Sequence, residues 1–235
     1  STLSSSSAAS DVYKRQIHNR PMIASIFRGI PPEQYLSIRM LFLEISEEMG
    51  VPLQIVNDGE VTALAGSMSL DENSILGIAM GSSEAVGYIT AQGNITTWLN
   101  ELAFAPVDYQ VESPVDEWSG DRGVGAQYFS QQCVFRLAPQ VGITIPDDLT
   151  NAQKLKFVQD KLEAGTDQAD QIWETIGIYL GYTLRHYADF YDLRHVLILG
   201  RCTSGIGGQI IQEYAQRVLA LESVSYTHLT LPTKR

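Results

Sequence analysis

Three short segments carry residues whose types and spacing could support chemistry on a phosphate-containing ligand. The first is Asn57-Asp58, which follows the apolar run 53–56 and precedes a helical pattern. A carboxylate at the carboxyl end of a strand lies where α/β sheets bind ligands, and an aspartate there can act as a general base towards a substrate hydroxyl. The alternative is that Asp58 only caps the helix that follows it.

The second segment is the turn Gly81-Ser82-Ser83, which lies between two apolar runs. Successive small residues in a tight turn expose backbone N–H groups that can bind phosphate oxygens. A plain hairpin turn has the same composition, so both interpretations stay open.

The third segment is the glycine-rich loop 200–208, between the apolar run 195–199 and an amphipathic helical pattern. Glycines allow a nucleotide to approach the backbone closely, and the N-terminus of the following helix favours an anion. The loop is not a P-loop, because no Gly-Lys-Ser/Thr follows it.

Hydrophobic periodicity places these segments between regular elements. It predicts helices from residue 33 to a stop at Gly50, from residue 58, at 126–139, 151–164 and 167–190, and up to residue 221, with strands at 53–56, 75–80, 86–90 and 195–199. Small residues in the helix after Asp58 predict close packing against a sheet. This alternation of helices and strands predicts an α/β fold with a mixed sheet.

The composition is that of an ordinary globular protein, with 44% apolar and 18% charged residues and a net charge of −11 over 235 residues. Nothing concentrates its 16 basic residues into a patch, so we expect no nucleic-acid binding. No apolar run approaches the roughly 20 residues of a membrane span, and we expect neither a membrane span nor a secretory signal. Two cysteines, Cys133 and Cys202, lack metal-type spacing and predict buried thiols in a cytoplasmic protein.

The two ends differ in composition from the rest of the chain. Residues 1–16 and 224–235 have the character of translated library-adapter sequence, and we set them aside when predicting the fold. The alternative is a disordered native tail at each end.

The order of the motifs resembles the ROK family, which belongs to the superfamily of sugar kinases, actin and chaperone ATPases. The resemblance covers roughly residues 34–218 and is carried by the segments VNDGEVTALAG (56–66), IAMGSSEAVGYIT (78–90), NELAF (100–104), SGDRGVGAQYFS (119–130) and VLILGRCTSG (196–205). It implies an actin-like ATPase (ribonuclease H-like) fold with a mixed sheet flanked by helices, incomplete at its N-terminus. Residues 17–102 would form part of an N-terminal lobe and residues 103–223 a C-terminal lobe.

The resemblance also implies roles for particular residues. Asp58 would be the catalytic base, and Asn57 and Glu101 would contact sugar hydroxyls. The remaining positions would bind the nucleotide: Gly81 and Ser82 at the γ-phosphate, and Gly200, Ser204 and Gly205 at the adenosine. ATP and Mg²⁺ are the implied cofactors, a sugar-like molecule is the implied ligand, and a homodimer is compatible with the family.

Several positions depart from the family pattern. Phe104 replaces a histidine, Ala126 replaces a glutamate that helps to hold the sugar, and Arg201 replaces a glycine of the adenosine motif. The positions of the zinc cysteines carry Glu117, Ser119 and Val124, so we expect no zinc. The Asp-x-Gly-Gly-Thr phosphate loop of the family is absent from the sequence.

These departures leave three functions open. The first is ATP-dependent phosphoryl transfer to a sugar or related polyol, with an altered pocket and no activity in this chain alone. The second is the sugar- or nucleotide-sensing domain of a ROK-type repressor, and the third is a structural protein on the same fold. The acidic residues of segment 103–125 predict a solvated loop, with an acidic metal site as the alternative.

Overall fold

The computed structural model describes residues 31–34, 40–52, 58–96, 100–166, 168–222 and 228–230. Its helices are α1 (Leu41–Met49), α2 (Asp58–Leu70), α3 (Gln131–Leu137), α4 (Asn151–Glu163), α5 (Asp170–Tyr187) and α6 (Ile206–Leu221). Its strands are β1 (Ile75–Met80), β2 (Glu84–Ile89), β3 (His195–Leu199) and β4 (His228–Thr230). Within this described part of the chain, no helix combines the length and the apolar composition that a membrane crossing requires.

The strands form one mixed sheet in the order β2-β1-β3-β4. β1 and β2 are an antiparallel hairpin, whereas β3 pairs in parallel with both β1 and β4. Ala79 lies opposite Leu199, so β1 and β3 end at the same edge of the sheet. The predicted mixed α/β sheet is confirmed.

Alternation along β1 directs its side chains to two different layers. Leu76, Ile78 and Met80 are fully buried in the main core, which they share with residues of α3–α6. On the opposite face, a Cβ built on Gly77 would lie 2.6 Å from the backbone nitrogen of Ala63 in α2. The sheet therefore lies between α2 and helices α3–α6, and the predicted close packing of the small-residue helix is confirmed.

The long helix α5 packs closely against α6 because two of its residues are glycines. A Cβ on Gly177 would lie 2.7 Å from the carbonyl oxygen of Ile211, and one on Gly181 would lie 2.5 Å from the Cβ of Val218. The buried indole of Trp173 donates a hydrogen bond to the carbonyl of Cys202 at 2.9 Å. This bond ties α5 to the loop that follows β3.

Most predicted elements are present, with shifted ends. Gly50 ends α1 in the left-handed conformation, with a φ of 63°. The single helix expected at 126–139 is instead a 3₁₀ turn (Gly125–Gln127), α3 and a second 3₁₀ turn (Ala138–Val141). It is divided because Ser130 has an extended backbone and caps α3, its side chain accepting from the amide of Gln132. The strand expected at 53–56 lies outside the described residues.

Two observations bear on the domain boundaries. β1 and β2 precede residue 103 and β3 follows it, so described parts of both predicted lobes share one sheet. β4 lies within residues 224–235, the segment that we interpreted as adapter-like. The division into lobes and the foreign origin of the two ends stay predictions.

Candidate functional site

Two of the predicted segments meet at the edge where β1 and β3 end. A Cβ on Gly200 would lie 2.4 Å from the carbonyl oxygen of Met80. The thiol of Cys202 lies 3.8 Å from the carbonyl oxygen of Gly81, to which it donates a weak hydrogen bond. The structure therefore brings the glycine-serine turn and the glycine-rich loop together, although about 120 residues separate them in the chain.

The turn after β1 presents two backbone amides. The N–H of Gly81 is already donated to the carbonyl of Ser83 at 3.0 Å, and the carbonyl of Gly81 accepts from the amide of Gln131 at 2.9 Å. Among the described residues, the amides of Ser82 and Ser83 have no hydrogen-bond partner, and both serines are exposed. The amides that could bind an anion therefore belong to the serines and not to Gly81.

The two glycines at this edge are constrained differently. Gly200 has a φ of 112° and packs against the backbone of Met80, so a side chain there would be strained and would clash. At Gly81, a Cβ would have only the carbonyl oxygen of Ser83 as a neighbour, at 3.8 Å. The fold therefore requires glycine at position 200 but not at position 81.

The glycine-rich loop is covered on one side by the end of α4. The side chain of Gln159 donates to the carbonyl of Arg201 at 2.8 Å, and the side chain of Arg201 is exposed. A carboxylate oxygen of Glu163 accepts from the amide of Ile206 at 3.5 Å, beside Gly205, whose φ is 64°. Ser204 is exposed, and its hydroxyl lies 3.5 Å from the carbonyl oxygen of Gly200. A ligand in this loop would therefore meet Glu163, a neighbour that the sequence pattern did not indicate.

Asp58 is the first residue of α2, and its side chain is exposed. One carboxylate oxygen of Asp58 accepts from the amide of Gly59 at 3.1 Å. A residue that caps a helix accepts instead from the amide two or three positions after its own, so this bond is not the usual capping bond. α2 runs antiparallel to β1, because a Cβ on Gly59 would contact Val86 and one on Gly66 would contact Ile75. The N-terminus of α2 therefore points towards the edge where β1 ends. Asn57 lies outside the described residues.

Glu101 is half-buried and precedes the 3₁₀ turn Leu102–Phe104. Its negative charge acts on the carboxyl group of Glu84, the first residue of β2. Glu84 is buried, and burial, together with repulsion by Glu101, raises the pKa of its carboxyl to about 8. The sequence interpretation missed Glu84, although alternation along β2 places it on the same face as the buried Val86 and Tyr88.

The acidic segment 103–125 is held by hydrogen bonds and is not merely a solvated loop. The carboxylate of Asp108 accepts from the hydroxyls of Tyr128 at 2.7 Å and Tyr179 at 3.1 Å, and from the amide of Gln110 at 3.0 Å. Farther along, the buried Asp116 accepts from the amide of Ser119 and from the side chain of Gln127. Two of the acids that we expected to face solvent therefore organise the segment.

The balance of effects at Asp108 favours its ionised form. Partial desolvation would raise its pKa, but the bonds donated by the two tyrosines and by the amide of Gln110 outweigh it and lower the pKa of Asp108. A carboxyl with a lowered pKa stabilises the folded state above its unfolded pKa, and that stabilisation is lost as the pH falls through the folded value.

We expect Asp108→Asn to lower the free energy of unfolding by about 2 kcal/mol at pH 7, because it weakens several charge-assisted hydrogen bonds at once. Urea unfolding at pH 7 measures the change. Glu112→Gln, in the same segment but exposed, is the matched control and should have no effect. Equal stability of both variants would show that the Asp108 bonds do not hold the segment.

The positions that depart from the family pattern are also placed. Phe104 packs against Trp118 with ring centroids 5.4 Å apart, and Ala126 is buried. Glu117 is exposed, and the backbone of Ser119 is bonded to Asp116. Across the described segments, no three histidine, cysteine or acidic side chains are arranged to hold a metal ion.

The two cysteines are buried free thiols, as the sequence predicted. Burial raises the pKa of Cys133 to about 11 and that of Cys202 to about 12. Both therefore stay protonated at neutral pH and are poor nucleophiles.

Comparison with known proteins gives structural but not sequence matches. No protein-family model matches the chain, and the curated proteins contain no significant match. A ROK family transcriptional regulator, described as a homologue of the E. coli MLC protein, is 15% identical with a TM-score of 0.64, over 83% of this chain and 51% of the regulator. A ROK family glucokinase from Streptomyces griseus, solved with glucose and AMPPNP, is 14% identical with a TM-score of 0.62, over 83% of this chain and 67% of the kinase.

A third similar structure is the ROK hexokinase from Thermus thermophilus, 14% identical with a TM-score of 0.65, over 83% of this chain and 64% of that protein. The chain therefore spans about half to two thirds of the length of these proteins. At sequence identities of 14–15%, the similarity to these structures shows a shared fold alone. The chain has the actin-like ATPase fold of ROK family proteins, represented by a mixed sheet with flanking helices.

Proposed function

We propose that the chain is part of a ROK-like, sugar-kinase-type protein that transfers the γ-phosphoryl group of ATP to a hydroxyl of a sugar or related polyol. The observation that carries the proposal is the meeting of the Gly81 turn and the Gly200 loop at one sheet edge, towards which the N-terminus of α2 points. An exposed carboxylate at that N-terminus, Asp58, is available as a general base. The kinases similar in structure support a nucleotide and a sugar as ligands.

The nucleotide would lie between the turn and the loop. The amides of Ser82 and Ser83 would bind phosphate oxygens, and the 200–205 loop would accommodate the adenosine. Mg²⁺ would be held mainly by the phosphates, as is usual for this ion, and would neutralise their charge during transfer.

The acceptor pocket differs from that of a standard hexose kinase in this proposal. Ala126 offers no carboxylate, and the paired rings of Phe104 and Trp118 present an aromatic surface close to Glu101. Aromatic faces pack against the apolar faces of ligands. We therefore propose a small polar acceptor with an apolar face, held by Glu101 and these rings.

Gly81→Ala tests the nucleotide site. The fold has room for the added methyl group, so the melting temperature should be unchanged, whereas a phosphate packed against the turn would lose about tenfold or more in affinity. Calorimetric titration of ATP–Mg²⁺ into the 235-residue chain measures the affinity. Gln92→Ala, in the exposed turn at the other end of β2, is the control and should bind as the wild type does. No heat with the wild type, or equal affinity in both variants, would contradict the proposed site.

Asp58→Asn tests the base. In the complete protein it should reduce phosphoryl transfer roughly a hundredfold or more with no change in melting temperature, because the side chain is exposed and a neutral amide cannot accept the proton. A coupled assay with a panel of hexoses, amino sugars and polyols measures turnover. Retained turnover would remove Asp58 from this role.

A second candidate function is ligand sensing in a ROK-type repressor. It is favoured by the structural similarity to the ROK family regulator, whose TM-score of 0.64 differs by at most 0.02 from those of the two kinases. A sensor would bind a sugar or nucleotide without turnover, and Asp58→Asn would then change affinity alone. The same assay and titration therefore distinguish the two functions.

A further inference from the structure

Glu84 occupies an unusual place for a charged residue. It follows the Ser82-Ser83 turn directly, pairs with Met80 across the β1–β2 hairpin, and shares the core face of the sheet. Its side chain is 5% exposed, and neither carboxyl oxygen has a hydrogen-bond partner among the described residues. Buried polar groups without a partner are rare, so this one requires an explanation.

The carboxyl group fills a space between two turns that flank the proposed acceptor pocket. A Cβ built on Gly125 would lie 2.1 Å from one carboxyl oxygen of Glu84 and 2.7 Å from the carbonyl oxygen of Leu102. Glu84 therefore lies against the turn that carries Ala126. That turn packs against the one that follows Glu101, because the amide of Gly125 donates to the carbonyl of Ala105 at 3.0 Å. Only a glycine at position 125 leaves room for it.

The charged group that faces Glu84 disfavours a second negative charge there, whereas the phenol of Tyr187 is neutral. Glu101 faces it from the turn before Leu102, and Tyr187 of α5, whose buried hydroxyl also lacks a partner, faces it from the core. Tyr187 is faced in turn by Tyr191 and Tyr109. An ionised carboxyl here would be desolvated and repelled by Glu101, so the arrangement is stable only with a proton on Glu84.

We propose that Glu84 is a proton-controlled positioning residue. In its neutral form it lets the turn that carries Glu101 pack against the turn that begins at Gly125, and loss of the proton separates the two. The consequence, which rests on the proposed function, is that the protein binds its acceptor and its nucleotide more weakly at alkaline pH. The packing of the two turns does not depend on any ligand.

The primary test is hydrogen exchange of the 235-residue chain, followed by mass spectrometry at pH 6.5 and pH 9, in the wild type and in Glu84→Gln. Comparison at equal pH cancels the intrinsic pH dependence of exchange. At pH 9 the wild type should exchange the hydrogen-bonded amides within 102–105 and 125–128 up to about tenfold faster than the variant, since about nine tenths of Glu84 would be ionised one pH unit above its pKa of about 8. At pH 6.5 the difference between the two proteins should be markedly smaller, because Glu84 keeps its proton in the folded state at that pH.

Two further variants complete the test. Glu84→Leu is neutral and apolar and should behave as Glu84→Gln does, whereas the exposed Asp147→Asn should keep the pH dependence of the wild type. The same ratio of exchange rates at both pH values would overturn the proposal. Titration of ATP–Mg²⁺ at both pH values tests the consequence separately. Absence of binding with pH-dependent exchange would overturn the proposed function but support the coupling of the turns.

Discussion

Replacing Gly87 with alanine should lower the free energy of unfolding by about 3 kcal/mol or more, which is enough to unfold a marginally stable domain. A Cβ at this position would lie 2.3 Å from the carbonyl oxygen of Gly59 and 2.5 Å from the Cα of Glu60. Both neighbours are backbone atoms of α2, so no side chain can move aside. The methyl group would have to push α2 away from the sheet and with it Asp58. Urea unfolding followed by circular dichroism measures the effect.

Gly81→Ala is the matched control for this experiment. It lies in the same hairpin, but its nearest neighbour would be 3.8 Å away, so we expect a change below about 0.5 kcal/mol. Similar losses in the two variants would mean that α2 does not approach β2 as closely as described.

Replacing Glu84 with glutamine should stabilise the protein at pH 8 and above and have little effect near pH 4. The folded-state pKa of Glu84, about 8, lies above its ordinary value of 4.5. The stability that this group contributes is therefore fully present below about pH 4.5 and is lost as the pH rises through about 8. Each unit of pKa difference between the folded and unfolded states corresponds to about 1.4 kcal/mol of stability. The free energies of unfolding of the variant and the wild type should therefore differ by a few kcal/mol at alkaline pH.

Urea unfolding at intervals from pH 4 to pH 9 measures this difference. The variant should lose less stability than the wild type over that range, and the two curves should run parallel above pH 9. The exposed Asp147→Asn should follow the wild type. Curves that stay parallel from pH 4 to pH 9 would show that Glu84 is ionised, or solvated, in the folded protein.

Local patterns were sufficient for much of the fold. The short apolar runs 75–80 and 195–199 correspond to β1 and β3, and the helical stripe in 167–190 corresponds to α5, because burial of apolar residues follows their spacing along the chain. The small residues after Asp58 indicated close packing for the same reason. Ser130 was the exception: its capping bond divided a segment whose apolar pattern suggested one helix.

The candidate site was predictable only as separate segments. The Gly81 turn and the Gly200 loop were each evident from glycine content, but a glycine does not reveal whether a ligand or the fold requires it. At position 200 the neighbour is the backbone of Met80, whereas at position 81 the space is open. The amides without a partner proved to be those of the two serines, since hydrogen bonds within the turn use the amide of Gly81.

By itself, the sequence determined the order of the elements and the residues with chemical potential, because both depend on neighbours within a few positions. The tertiary structure decided which of those residues meet and which charges are buried. Glu84 is surrounded by Glu101, Gly125 and Tyr187, and Asp108 by Tyr128 and Tyr179. These contacts join residues 17 to 103 positions apart. Their effect on a proton depends on desolvation and distance, which exist only once the chain has folded.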